Sequence, residues 1–125
     1  MLKQLLTSLQ KEIDVNITQK GENSFQLIVN NDLTIYILDQ KINISIYCNL
    51  IECKSLLKEQ LINQLMKANL LKKITFGLTN DEKYLTLSTL MPYEVSYKEL
   101  KEFLEEFVST AIVWREKIDK FLKQT

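Results

Sequence analysis

The sequence contains no histidine, two glycines (Gly21 and Gly77), one proline (Pro92) and two cysteines (Cys48 and Cys53) among 125 residues. Each scarcity excludes something. Without histidine the chain lacks the side chain that ordinarily titrates near neutral pH, so Ser–His and Cys–His nucleophile pairs cannot be built. Two glycines so far apart cannot form a phosphate-cradling loop. Two thiols five positions apart, with no imidazole to join them, fall short of a zinc site and give no disulfide framework. They read as reduced thiols in a reducing compartment. No apolar run approaches the roughly 20 residues of a membrane span, and Met1 to Leu9, interrupted by Lys3, does not read as a signal-peptide core. Charge of one sign is also missing: 16 basic residues balance 16 acidic ones, with a sequence pI near 6.3. The densest basic pair is Lys72-Lys73, and no stripe forms, which argues against nucleic acid as the partner.

What remains is an ordinary globular composition, 46% apolar and 26% charged, of a size that suits a single domain over residues 1–125. Neighbouring carboxylates occur at Asp81-Glu82 and Glu105-Glu106. They read as a turn and a solvated helix face, because adjacent residues on a helix point in different directions. No catalytic residue, metal ligand or cofactor site is assigned, and the chain reads as a binding protein rather than an enzyme.

The hydrophobic pattern sets the order of elements. Leu2, Leu5, Leu6, Leu9 and Ile13 recur at helical spacing and predict a first helix ending near Asp14. Alternation at Phe25, Leu27 and Val29, at Leu33, Ile35 and Ile37, and at Ile42, Ile44, Ile46, Cys48 and Leu50 predicts three strands. A three-residue turn at Asn30-Asn31-Asp32 sets Val29 opposite Leu33. A four-residue loop from Leu38 to Lys41 sets Ile37 opposite Ile42. Residues Lys54 to Asn69 return to helical spacing, with Leu57, Leu61, Leu65 and Ala68 on one side and Leu56, Ile62 and Met66 widening the stripe. Two strands follow, Ile74 to Leu78 and Leu85 to Leu87, with Leu78 opposite Leu85. The last helix opens on an S-x-x-E capping box, Ser96 to Glu99, stapled by Val95 and Leu100. Its stripe runs through Leu100, Phe103, Leu104, Phe107, Ala111, Trp114, Ile118 and Phe121. The expected fold is α+β, in the order α-β-β-β-α-β-β-α, with a twisted antiparallel sheet and flanking helices.

Apolar residues are left over after one face of that sheet is covered. Ile28, Tyr36, Leu38, Tyr47 and Ile51 fall on the second face, and the broad stripe of the middle helix exceeds what one sheet needs. Either a second covering layer or a partner polypeptide would account for them, and a dimer interface would explain the middle helix.

The run Leu65-Met66-Lys67-Ala68-Asn69-Leu70, followed by strands and then by Phe107-Val108-Ser109-Thr110-Ala111-Ile112-Val113-Trp114-Arg115, resembles the class I type III secretion chaperones, the Tir-chaperone-like family. The resemblance covers nearly the whole chain. It implies a homodimeric bacterial cytoplasmic chaperone that binds the N-terminal extended segment of a secreted effector, with no ATP, nucleic acid or membrane involved. It also implies an effector-binding set of Leu2, Leu5, Leu6, Leu9, Phe25, Leu27, Ile28, Val29 and Tyr36. The dimer interface would comprise Leu57, Leu61, Leu65, Asn69, Phe76 and Leu78. A small apolar-ligand carrier, or a regulatory or structural homodimer of the same fold, would fit the same composition.

Overall fold

The computed structural model describes residues 2–13, 15–29, 33–52, 67, 74–79 and 83–123. Helix α1 spans Leu2–Ile13 and is followed by strands β1 (Asn16–Gly21), β2 (Ser24–Val29), β3 (Leu33–Asp39), β4 (Asn43–Glu52), β5 (Thr75–Leu78) and β6 (Tyr84–Pro92), then by helix α2 (Tyr97–Lys123). Apart from Lys67, which is helical, the helix expected at 54–69 lies outside the described residues. The strands form one antiparallel six-stranded sheet in the order β1-β2-β3-β4-β6-β5.

Period-two alternation decides which face is covered. In β3 and β4 every second residue is buried, and Ile35, Ile37, Ile46 and Cys48 have no measurable exposure. Both helices press onto that face. From α1 come Leu2, Leu6 and Leu9, and from α2 come Leu100, Leu104, Phe107, Ala111 and Ile118, all buried in one cluster with the strands. Burying a side chain of this kind contributes about 1.5–3 kcal/mol. The opposite face carries only half-buried or exposed residues over most of its area.

The start of α2 is fixed by local chemistry. The Ser96 backbone N–H donates to Glu99 Oε1 at 3.2 Å, and the Glu99 N–H donates to Ser96 Oγ at 3.1 Å. Two orphan donors of the first turn are thereby satisfied reciprocally. Val95 and Leu100 are both buried beside the cap, as a hydrophobic staple requires. Toward the other end, Trp114 meets Phe76 of β5 edge-on, with centroids 5.0 Å apart, and Lys117 lies 4.9 Å over the indole. Arg115 Nε donates to the Leu50 carbonyl at 3.3 Å. That carbonyl belongs to a β-bulge, since the β4–β6 register shifts between Asn49 and Ile51.

Three details differ from expectation. The first is β1, a strand the alternation did not reveal. It holds a single apolar residue, Ile17, and lies at the sheet edge, where mostly exposed polar residues carry no periodic signal. The second is the β3–β4 turn. Asp39 pairs with Ile44 and Ile37 with Ile46, so the turn is the two residues Lys41-Ile42, closed by a Gln40 N–H to Asn43 carbonyl bond of 2.9 Å. Lys41 takes φ 69°, and its N–H donates to Asp39 Oδ1 at 2.9 Å. Primed hairpin turns need a positive φ there because their twist matches that of the strands. Ile42 is therefore 84% exposed instead of opposing Ile37. The third is Ile51, which the bulge brings opposite Leu85 and against the core rather than onto the second face. The pairings Val29–Leu33 and Leu78–Leu85 are as expected.

Removing the cap with Ser96→Ala should cost about 1 kcal/mol, whereas Ile46→Ala should cost about 2–5 kcal/mol through the cavity it leaves. Urea denaturation followed by circular dichroism checks both, and a cap variant as damaging as the core variant would contradict this ranking.

Candidate functional site

A groove opens beside the last turn of α1, above the β2 end of the sheet. Leu9 and Leu27 form its floor, being 1% and 3% exposed. Ile13, Val15, Val29, Leu104 and Val108 form its walls, and Lys101, Glu105 and Ser109 of α2 complete the rim. The volume is about 400 Å³, enough for one or two large apolar side chains. Ile13 is 37% exposed, so the groove presents apolar surface to solvent.

One wall continues into an open sheet edge. Val15 immediately precedes β1, whose only sheet neighbour among the described residues is β2. On its other side β1 pairs with no strand among the described residues. Such an edge is a template for a further strand. Its far end is blunted by an irregularity between Gln19 and Gly21, where Gln19 Nε2 donates to the Gly21 carbonyl at 2.9 Å. The arrangement combines an apolar cleft with main-chain hydrogen-bonding capacity, as recognition of an extended peptide demands.

A polar clamp joins the two helices beside the groove. Lys101 Nζ donates to Glu12 Oε1 at 2.7 Å, and Tyr97 Oη donates to Glu12 Oε2. The Lys101 hydrogen bond, then that from Tyr97, holds the Glu12 carboxyl below its ordinary range. Lys101 is correspondingly pushed up, chiefly by the same bond to Glu12. Because the clamp lies at the surface, it orients α1 against α2 more than it stabilises the fold.

The structure separates the residues expected to bind an effector into three groups. Leu9, Leu27 and Val29 come together in the groove. Leu2, Leu6 and Phe25 are buried in the shared core, and Leu5 is half-buried against it. Ile28 and Tyr36 sit on the opposite face of the sheet, where Tyr36 stacks on Tyr47 with centroids 4.9 Å apart. Of the expected dimer set, Phe76 packs against Trp114 and Leu78 lies in β5. Leu57, Leu61, Leu65 and Asn69 lie outside the described residues. Ile13, Val15, Lys101, Leu104, Glu105, Val108 and Ser109 complete the groove and were not among the residues expected to bind an effector. Leu104 was visible as part of the α2 stripe, but nothing in the pattern marked which α2 residues would line a groove with the end of α1.

Cys48 is fully buried. Burial pushes its thiol up to about 11, which leaves it protonated at neutral pH and a poor nucleophile. Cys53 lies outside the described residues. No helix among the described residues is long and apolar enough to cross a membrane.

Comparison with known proteins points in one direction. The family model for the Tir chaperone protein (CesT) family matches residues 4–115. Among solved structures, a chain of the ExsC–ExsE complex superposes with a TM-score of 0.78 at 14% identity, covering 92% of this chain and 91% of that one. A chain of the HopA1–SchA chaperone–effector complex gives a TM-score of 0.71 at 16% identity, covering 92% and 93%. The Yersinia pestis type III secretion chaperone SycH, in complex with a stable fragment of YscM2, gives 0.68 at 14% identity, covering 90% and 98%. At such identities these likenesses concern the fold. No curated protein matches the sequence.

The clamp has a definite pH signature. A carboxyl whose folded pKa is depressed contributes stability above its unfolded pKa and loses that contribution as pH falls through the folded value. Wild type should therefore melt slightly above Glu12→Gln at neutral pH, and the two should converge once the pH drops below the ordinary carboxylate range. Thermal melts at both pH values check this; a gap that persists in acid would show that the substitution acts through packing.

Proposed function

Because the chain belongs to the Tir chaperone protein (CesT) family, we propose that it binds the N-terminal extended segment of a secreted effector and keeps it fit for type III export. It does so in the bacterial cytoplasm, as a homodimer, and without nucleotide. The observation that carries the reading is the apolar groove lined by α1 and α2 beside the edge of β1 that no strand among the described residues covers. A folded partner would present a convex surface to such a site. An extended segment can place its side chains in the cleft while its backbone pairs with the edge.

The mechanism requires no chemical step. Affinity comes from apolar side chains leaving water for the groove and from main-chain hydrogen bonds along β1. The bound segment is held non-globular, which hides it from aggregation and leaves it threadable. Leu9, Leu27 and Val29 form the contact surface with Ile13, Val15 and Val108, while Leu2, Leu6 and Phe25 support it from beneath. Leu5, Ile28 and Tyr36 would serve a segment long enough to wrap beyond the groove. The second protomer is held through Leu57, Leu61, Leu65 and Asn69, together with Phe76 and Leu78.

Co-expression with a secreted protein encoded beside this gene tests the reading. The pair should co-purify in nucleotide-free buffer, and limited proteolysis should leave a protected effector segment of about 20–30 residues or more, the span of a standard interface. Ile13→Asp places a charge on the groove wall at a partly exposed position, so the fold should persist while affinity falls about tenfold, the equivalent of losing roughly one apolar anchor. Binding only to a folded partner, or unaltered binding by Ile13→Asp, would refute the groove. Sedimentation equilibrium should show two protomers at micromolar concentration, and a folded monomer would refute the dimer.

A further inference from the structure

The rim of the groove carries charge as well as shape. Lys101 and Glu105 line it four residues apart on α2, one helical turn from each other and therefore neighbours. Lys101 is already committed to Glu12 at 2.7 Å. Glu105 acts on Lys101 electrostatically, but among the described residues no hydrogen bond or ion pair is formed by its carboxylate. Two carboxylates, Glu12 and Glu105, thus share one ammonium, and the mouth of an apolar cleft is left with a surplus negative charge.

We propose that Glu105 makes the groove selective for an extended segment in which a basic side chain lies beside the apolar anchor. This rests on the reading of the groove as a peptide site and adds the chemistry of the peptide. The apolar anchor would fill the space above Leu9 and Leu27. A neighbouring Lys or Arg of the segment would then meet Glu105 at the rim, where Lys101 is committed to Glu12. An acidic neighbour would meet the surplus charge and be disfavoured. An arginine fits best, because its planar fork can satisfy both carboxylate oxygens while its stem lies along Val108. Specificity of this kind comes as much from repelling the wrong segment as from attracting the right one.

The test uses labelled 12-residue peptides of alternating leucine and polar residues, differing only in an Arg, Gln or Glu beside the central leucine. Fluorescence anisotropy measures their affinity for the full-length protein. Wild type should prefer the Arg peptide over the Gln peptide by about 2- to 5-fold, the range for an exposed ion pair, and should bind the Glu peptide weakest. Glu105→Gln should remove the ranking, and Glu105→Lys should invert it. Glu12→Gln releases Lys101 toward Glu105 and should narrow the preference without abolishing binding, an effect that a merely structural role for Glu12 would not produce. If all three peptides bind equally and Ile13→Asp weakens them equally, the groove reading stands and the charge selection is overturned. If no peptide binds, or if a fatty acid such as laurate occupies the groove instead, both readings are overturned.

Discussion

Everything in this protein depends on one sheet face being sealed by two helices. Phe107 and Ala111 of α2 are fully buried, as are Ile35, Ile37 and Ile46 beneath them, so the long helix cannot shift without opening a cavity in a close-packed core. Helix α1 is shorter, at 12 residues, and its last turn is held by polar contacts instead of apolar ones. The groove lies beside the Glu12 clamp, whose Lys101 also lines it. Rigidity of the sheet and α2 makes the groove a preformed surface, which reduces the ordering cost of capturing a flexible segment.

The same division explains why the functional surface lies where it does. Interior strands β3 and β4 have neighbours on both sides and contribute nothing to an edge. The edge strand β1 is polar, short and partly irregular, which protects it from pairing indiscriminately. Val15 and Ile17 nevertheless give its first half an apolar side continuous with the groove. A ligand strand gains most at that end, where hydrogen bonds and apolar contacts coincide.

Features governed by local chemistry or by strict period were legible in the sequence. The Ser96–Glu99 box, the α2 stripe from Leu100 to Ile118, and the Val29–Leu33 and Leu78–Leu85 pairings follow from spacing alone. Edge strand β1 was not legible, because one apolar residue among six sets no period. The Lys41 turn escaped because alternation continues through Ile42, and shifting the register by an even number keeps the faces aligned while moving the turn. The groove was half legible. Periodicity marked Leu9, Leu27 and Val29 as apolar, but no pattern along the chain says that they line one groove with Lys101, Leu104 and Val108 of α2. Nor does it say that Lys101 is held by Glu12, which depends on a contact between residues 89 positions apart.

An effector segment seated in the groove would pair along the β1 edge. Hydrogen–deuterium exchange of the protein, alone and with its bound effector segment, addresses that most directly. The account predicts new protection of the β1 amides between residues 16 and 19, where an added strand would take up the unpaired backbone groups. The already paired amides of β3 and β4 should be unaffected. Protection confined to α2 beyond Trp114, or to β5, with β1 exchanging as fast as in the free protein, would contradict it.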